Sequence, residues 1–234
     1  RRVLFRSTSP LSYRWFRDGV LLEGEDRPHL SLGGVQAADD GGYSVTVSNV
    51  LGLAEARVAA VRVVPSAPVV VEVPGEVGLP AGADGRLVTR VIGTAPMALG
   101  WMRDGAVVQG AAAADLLLRN VQQVDAGEYA LVASNALGAM TTRVARVTVT
   151  PRAPVFLTQP ESVEVEVGAA VELGAEVRGT EPIRFQWQHA GTNLPGADRP
   201  ILRIPAVRGE DGGDYRLAAS NSEGVSVSAV ALMT

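Results

Sequence analysis

Cysteine is absent from this chain of 234 residues, so the chain forms no disulfide and offers no thiolate for catalysis or metal binding. Lysine is absent too; all 21 basic residues are arginine, and the formal net charge is −4. Nucleic-acid binding depends on clustered basic side chains, and no contiguous basic stretch occurs, so we expect no nucleic-acid partner. No run of 18 apolar residues occurs either, and we expect no membrane insertion.

Catalytic and metal-binding patterns are also sparse. The two histidines are His29, expected just before a strand, and His189, expected in a hairpin turn. The acidic pairs Asp39-Asp40 and Glu210-Asp211 leave weak calcium binding open, although the Asp-x-Asp-x-Asp-Gly spacing of a calcium loop does not occur. Neither Gly-x-Ser-x-Gly nor a nucleotide-binding Gly-x-Gly-x-x-Gly occurs. We therefore predict that the chain is not an enzyme and has no catalytic residue, cofactor or metal.

The rarest residue types recur at a fixed interval, which indicates one domain repeated three times. The three tryptophans lie 86 residues apart, and a tyrosine and an aspartate keep the same step. The recurring residues are Trp15, Trp101 and Trp187; Tyr43, Tyr129 and Tyr215; Asp39, Asp125 and Asp211. We predict domains at residues 1–64, 65–150 and 151–234, the first of them truncated at its amino terminus.

Each repeat consists of short alternating segments separated by turn signals. Asp-Gly follows the tryptophan in the first two repeats, at Asp18-Gly19 and Asp104-Gly105, and favours a tight type I′ hairpin turn. Then come Leu-x-Leu/Ile-x-x-Val, Asp-x-Gly-x-Tyr and Ser-Asn-x-x-Gly. Apolar residues alternate with a period of two, and no segment sustains the helical period of 3.6. Short strands at this spacing predict an all-β sandwich.

The first seven residues, RRVLFRS, do not belong to the repeat pattern. One set of codons for this heptapeptide matches the end of a widely used short-read sequencing adapter. We therefore interpret residues 1–7 as an assembly artefact and exclude them from the fold. The alternative is a natural strand, since Val3 and Phe5 alternate with polar residues.

In this order, Trp, Leu-x-Leu-x-x-Val, Asp-x-Gly-x-Tyr and Asn-x-x-Gly resemble the immunoglobulin-like fold of the I-set type. The third repeat is similar to the cysteine-free version found in bacterial secreted and surface proteins, through stretches such as GTEPIRFQW and DGGDYRLAASNSEG. The resemblance implies tandem Greek-key β-sandwiches, each with its tryptophan in the core. It also implies a tyrosine corner, in which the tyrosine hydroxyl bonds back to nearby backbone. The aspartate is expected to cap that turn or to pair with an arginine.

The cystine that joins the two sheets in vertebrate immunoglobulin domains has no counterpart here. The resemblance places its two positions at Thr89 and Leu131 in the second repeat, and at Ala175 and Leu217 in the third. A small residue facing a large one is expected to fill this space by packing. Because such a disulfide contributes about 2–4 kcal/mol, packing around the tryptophan must supply that margin.

The connections between repeats are alike as well. Residues 63–68 and 149–154 each hold two prolines in four residues, with no flexible Gly/Ser tract. Closely spaced prolines favour extended, stiff backbone. We therefore predict domains arranged end to end as a semi-rigid rod.

We predict a structural spacer or an adhesion module: a tandem array, part of a larger secreted or cell-surface protein, whose ligand is an unknown protein or carbohydrate. Loops at the ends of a sandwich carry recognition in such folds, and Asn193–Pro200 is the longest polar connection in a complete repeat. Two alternatives stay open. One is an accessory array of a secreted enzyme whose catalytic domain lies elsewhere; the other is an intracellular scaffold, against which the absence of lysine counts.

Overall fold

A computed structural model describes residues 9–234, and in this range every regular element is a β-strand or a single turn of 3₁₀ helix. No helix in the described range is long and apolar enough to cross a bilayer. By backbone proximity the chain divides into two compact units. One comprises the described residues up to Val69 with Val91–Ala98 and Ala133–Met140, and the other comprises Val70–Arg90, Leu99–Val132 and Thr141–Thr234.

The sequence repeats remain the natural frame for the strands. The proposed artefact at residues 1–7 lies outside the described residues. The domain boundaries at 64/65 and 150/151 stay predictions. The all-β class is confirmed, because three runs of strands recur with the same turns between them.

The first repeat forms one antiparallel sheet. Its strands are β1 (Ser12–Arg17), β2 (Val20–Leu21), β3 (Gly41–Asn49) and β4 (Gly52–Val61), in the order β2-β1-β3-β4. A 3₁₀ turn, Ala37–Asp39, precedes β3. Between β1 and β2, Asp18 and Gly19 have φ of 47° and 81°, the positive values that a type I′ turn requires.

The second repeat has more strands and a second layer. Its strands are β5 (Val69–Glu72), β6 (Gly75–Pro80), β7 (Gly85–Leu87), β8 (Arg90–Ile92), β9 (Ala98–Arg103), β10 (Ala106–Val108), β11 (Leu116–Leu118), β12 (Gly127–Asn135) and β13 (Gly138–Thr150). One sheet has the order β10-β9-β12-β13-β6, with β13 and β6 parallel. The pairs β11-β7 and β5-β8 form separate two-stranded sheets. The 3₁₀ turn Gln123–Asp125 precedes β12.

The third repeat follows a similar plan. Its strands are β14 (Val155–Phe156), β15 (Val171–Gly174), β16 (Val177–Arg178), β17 (Arg184–His189), β18 (Thr192–Asn193), β19 (Ile201–Ile204), β20 (Gly213–Asn221), β21 (Gly224–Val227) and β22 (Ala231–Met233). The larger sheet has the order β18-β17-β20-β21, and β22 also pairs with β20. The pairs β15-β19 and β14-β16 form the other sheets. The 3₁₀ turn Gly209–Asp211 precedes β20.

One expected strand is missing from the first repeat. Residues 30–35 carry the Leu-x-Leu-x-x-Val motif but lie outside any strand, so the expectation that His29 precedes a strand was wrong. The equivalent strands β11 and β19 are held by pairing with β7 and β15. Counted back by 86 residues, that partner falls at or before Arg1, outside the described residues. In the second and third repeats, where a partner strand is described, the motif forms a strand.

The core of each complete repeat surrounds its tryptophan. Trp101 and Trp187 are 1% and 0% exposed. In the third repeat the buried cluster comprises Val171, Leu173, Trp187, Val207, Tyr215, Leu217, Ala231 and Met233. Burying several large apolar side chains together supplies the main stabilisation of such a domain, since each contributes roughly 1.5–3 kcal/mol.

Candidate interaction surfaces

The tryptophans are buried and hydrogen-bonded in the same way in all three repeats. Each indole Nε1 donates to the backbone oxygen of the residue twelve positions later, at 2.8–3.0 Å. Trp15, with 6% exposure, is less completely buried than the other two. The bond satisfies the one polar atom of the ring, so the indole is fully used by the fold and is not a ligand-binding group.

The tyrosine and aspartate of Asp-x-Gly-x-Tyr organise the turn before the long strand. The hydroxyls of Tyr43, Tyr129 and Tyr215 donate to the backbone oxygens of Asp39, Asp125 and Asp211, at 2.7–2.9 Å. These are the bonds expected of a tyrosine corner. Burial raises the pKa of Tyr129 and Tyr215 above the usual value, so both hydroxyls, which are protonated at neutral pH in any case, stay protonated further into the alkaline range.

The aspartate side chains are engaged in the same turns. Each carboxylate accepts the backbone N–H of the residue three positions earlier, at 2.7–2.9 Å. Asp39 and Asp125 also pair with Arg17 and Arg103 at 3.3 and 3.2 Å. Both roles considered for this aspartate, cap and ion-pair partner, are therefore present in the first two repeats. In the described part of the chain no group of three or more acidic or histidine side chains is placed to hold a metal.

The third repeat replaces the arginine of that ion pair with His189. The sequence-based placement of His189 in a hairpin turn was wrong, because it is the last residue of β17 and the turn consists of Ala190 and Gly191. Its ring stacks on Tyr215 with the ring centroids 4.6 Å apart. Its Nε2 lies 3.1 Å from the backbone oxygen of Gly212. His189 therefore covers the tyrosine corner.

At the positions of the absent cystine, each complete repeat has a large buried leucine and a smaller residue. Leu131 and Leu217 are each 0% exposed, Thr89 is 7% exposed and Ala175 is half-buried. The Thr89 hydroxyl donates to the backbone oxygen of Ala114, and its backbone N–H to Asp115 at 3.1 Å. The Thr89 side chain therefore adds a hydrogen bond between two neighbouring segments, which a purely apolar filler would not make.

Sequence reasoning missed several core residues, among them two leucines that lie just before the small residue at each cystine position. Leu87 and Leu173 are 0% and 3% exposed and lie opposite Leu116 and Leu202 in the paired strands. The signal was available, because each leucine lies two positions before the small residue, the spacing at which side chains of extended backbone point to the same side.

The loop at Asn193–Pro200 is held to the core and is not free for recognition along its whole length. Leu194 donates its backbone N–H to the Trp187 oxygen at 2.9 Å, and the Ala197 oxygen accepts the Trp187 N–H at 2.9 Å. The side chains of both loop residues pack against the buried cluster. Pro195 and Gly196 form its exposed tip.

The motifs Gly-Thr-x-Pro and Asn-x-x-Gly meet at the connection that leads into each complete repeat. The Asn135 amide donates to the backbone oxygens of Ser66 and Thr94 at 2.8 and 2.9 Å. The Thr94 hydroxyl accepts the Ser66 N–H at 2.8 Å. We call this set of bonds the linker clasp. It fixes a connecting residue through its backbone, whatever its side chain.

The third repeat has an equivalent linker clasp. The Asn221 amide donates to the oxygens of Arg152 and Thr180, both at 2.8 Å. The Thr180 hydroxyl accepts the Arg152 N–H at 2.8 Å. The side chains at the clasped position differ, serine against arginine, while the bonds are the same. Two repeats therefore hold the connection before them in one geometry.

Two stretches of the chain match one family model, described as the immunoglobulin I-set domain, at residues 68–149 and 154–233. Among curated proteins, the chain is 29% identical over 91% of its length to the mouse (Mus musculus) basement membrane-specific heparan sulfate proteoglycan core protein, and 30% identical over 84% to human (Homo sapiens) roundabout homolog 3. It is 29% identical over 69% to endoglucanase C of Cellulomonas fimi. The chain spans only 6%, 15% and 15% of these three relatives.

Among solved structures, extracellular domains 3–5 of Drosophila OTK cover 96% of the chain at 22% identity with a TM-score of 0.40, and the chain covers 85% of that structure. The two stretches matched by the family model make up more than half of the chain. Each contains the buried tryptophan and the tyrosine corner described above. The chain therefore belongs to the immunoglobulin I-set domain family.

Proposed function

We propose that the chain is a non-enzymatic tandem array of immunoglobulin-like domains from a larger secreted or cell-surface protein, in which it serves as a spacer or adhesion module. The observation that carries this proposal is the linker clasp, present at both Ser66 and Arg152. A module that only tethers other domains has no need of a bonded linker, whereas a spacer does. The relative whose name places it in a basement membrane supports the extracellular assignment.

The proposal extends to the arrangement of the domains and to their source. We propose that the repeats lie end to end as a semi-rigid rod, because two linkers are bonded and contain no flexible tract. The absence of cysteine and the similarity of the third repeat to bacterial sequences favour a bacterial source. The ligand is proposed to be a protein or a carbohydrate, and the negative net charge argues against nucleic acid.

Small-angle X-ray scattering of the whole chain tests the spacer role. Three repeats end to end give a maximum dimension on the order of 100–120 Å, from strands of about ten residues. Replacing both clasp amides, Asn135→Ala with Asn221→Ala, should raise the flexibility of the particle. The control is Asn193→Ala, whose side chain contacts Gln188 and no linker. A compact wild-type particle, or equal profiles for the double variant and the control, would contradict the proposal.

A second candidate function is an accessory array in a secreted enzyme. The match over 69% of the chain to endoglucanase C supports it. Co-sedimentation of the whole chain with insoluble cellulose separates the two candidates. Binding to cellulose favours the accessory role. Recovery in the supernatant, with an extended particle in scattering, favours the spacer.

A further inference from the structure

Three polar side chains of the second repeat, Asp84, Asn120 and Gln122, reach towards one loop of the third repeat. We call these three residues the joint face. All of them, and the loop formed by residues 178–181, belong to the second of the two compact units. The loop is the start of the Gly-Thr-x-Pro motif of the third repeat.

Gln122 contacts the backbone of this loop with both ends of its amide. Its Nε2 donates to the Gly179 oxygen at 3.0 Å, and its Oε1 accepts the Glu181 N–H at 3.1 Å. Asparagine and glutamine are the side chains that carry an amide, whose N–H₂ donates and whose oxygen accepts side by side on one planar group. The contact therefore requires an amide side chain in the second repeat. In the third repeat it uses only backbone atoms and does not depend on the side chains of the loop.

Asp84 adds an ion pair beside the amide. Its Oδ1 accepts the Asn120 N–H at 2.8 Å and pairs with the Arg178 guanidinium at 2.7 Å. The Asn120 N–H, and to a smaller extent Arg178, hold the pKa of Asp84 below its usual value. The Arg178 side chain is 26% exposed and also pairs with Glu176 at 3.1 Å. A partly exposed ion pair contributes little energy but adds a directional bond.

The backbones approach closely at the same place. Gly82 has φ of 81°, and a Cβ added there would lie 2.6 Å from the Gly179 nitrogen and 2.9 Å from the Arg178 Cβ. No ordinary Cβ comes so near to a backbone atom. Ala81, its neighbour, is only 1% exposed. The joint is therefore a packed interface and not a linker with a few bonds beside it.

The first repeat uses the same amide without the ion pair. Gln36 donates to the Gly93 oxygen at 3.3 Å and accepts the Ala95 N–H at 3.1 Å, within the first compact unit. The residue equivalent to Arg178 is Ile92, which has no charge. The amide contact is therefore the common element of the two joints.

The corresponding end of the third repeat lacks the joint face. The residues equivalent to Asp84, Asn120 and Gln122 are Ala170, Ala206 and Arg208. Gly168, the equivalent of Gly82, has nothing within 4 Å of an added Cβ. The third repeat nevertheless forms a buried core. The joint face is thus not required to fold a repeat, which leaves its contacts with the next repeat as its role.

We propose that the joint face is a recognition surface for the Gly-Thr-x-Pro loop of an adjoining immunoglobulin-like repeat, and that it fixes the angle between the second and third repeats. The partner it fits is a loop that presents a backbone oxygen and, two residues later, an N–H, with a basic residue just before them. The inference concerns an internal joint and does not depend on the spacer or accessory role.

Distance measurement between two spin labels tests this directly. The chain has no cysteine, so the variants Val107→Cys and Val225→Cys, exposed by 66% and 68%, provide unique sites in the second and third repeats. We expect a narrow distance distribution in the otherwise unchanged chain. Gln122→Ala should broaden it about twofold, since relative motion of domains is the default where an interface does not prevent it. Gln123→Ala, an exposed glutamine next to it, is the matched control.

Two further variants test the amide donor and the close backbone approach separately. Gln122→Glu preserves size but replaces the donor to Gly179 with a repelling oxygen, so it should also broaden the distribution. Gly82→Val should shift the mean distance, because the backbones can no longer approach. Equal distributions for Gln122→Ala, Gln122→Glu and Gln123→Ala would overturn the proposal, as would a broad distribution in the parent chain. Thermal unfolding of each variant establishes that the measured chains are folded.

Discussion

The first repeat and the two later ones carry the same motifs at the same spacing, yet their cores differ. Val35 is 38% exposed, whereas its equivalents Val121 and Val207 are 1% and 5% exposed. Val58 is 54% exposed against 1% for Val144. The tyrosine corner, the Asp-Gly turn and the buried indole are nevertheless intact in the first repeat. Local turn chemistry therefore survives where the opposing layer of the sandwich is missing from the described residues, but burial of the apolar face does not.

Removing the tryptophans should give the largest effect on stability. We expect Trp101→Ala and Trp187→Ala to lower the free energy of unfolding by roughly 3–5 kcal/mol, because each leaves a cavity in a close-packed core. Trp15→Ala should have a smaller effect, since its surroundings are more open and collapse more readily. Chemical denaturation followed by circular dichroism measures all three. A change below about 1 kcal/mol for Trp101 or Trp187 would contradict the core assignment.

The second largest loss of stability is expected when the buried leucines Leu87 and Leu173 are replaced. Leu87→Ala and Leu173→Ala should each lower the free energy of unfolding by about 2–5 kcal/mol. The matched variant in the first repeat is Val35→Ala, which removes an already exposed side chain and should change stability by less than about 0.5 kcal/mol. Denaturation of the single variants tests the contrast. Equal losses in all three would show that exposure does not separate the repeats.

Limited proteolysis of the unsubstituted chain should distinguish the first repeat from the other two. Backbone that opens locally is cleaved first, and local opening is favoured where few apolar contacts hold a segment. We therefore expect early trypsin cleavage to be confined to residues 1–64, for instance after Arg57, an exposed residue of β4. Mass spectrometry of the early fragments locates the cuts. Equal resistance of all three repeats would refute the difference.

The smallest effect is expected at the arginine–aspartate pairs. Arg17→Ala and Arg103→Ala should each lower the free energy of unfolding by only about 0.2–1 kcal/mol, because these pairs are about one-third exposed. The third repeat, with His189 at this position, already keeps its tyrosine corner without the pair. Denaturation in low and high salt gives the measurement. A loss that is large and independent of salt would point to a packing role for the arginine stem.

Much of the fold followed from the sequence because its signals are local. The Asp-Gly turns, the alternating strands and the tyrosine corner depend on residues within a few positions of each other. The strand at Leu30 was predicted wrongly because a strand also requires a partner. His189 was misplaced by one residue for the same reason, since only pairing with Tyr215 shows that β17 continues to that point.

The interaction surfaces were less accessible to sequence reasoning. Asn135 and Ser66 are 69 positions apart, and Gln122 and Gly179 are 57 apart. No local pattern indicates which distant backbone group an amide will meet. The recurrence of glutamine at position 36 and 86 residues later was a visible signal, but its meaning required the loop that it contacts.

The linker clasp makes it simple for a protein of this kind to gain repeats during evolution. The asparagine and threonine that hold a connection lie inside the repeat that follows it, and they bind only its backbone. A gene duplication that copies one repeat together with its leading linker therefore copies the linker clasp as well. Length becomes a matter of copy number, and the residue that is held only through its backbone is free to diverge, as serine and arginine have done at positions 66 and 152.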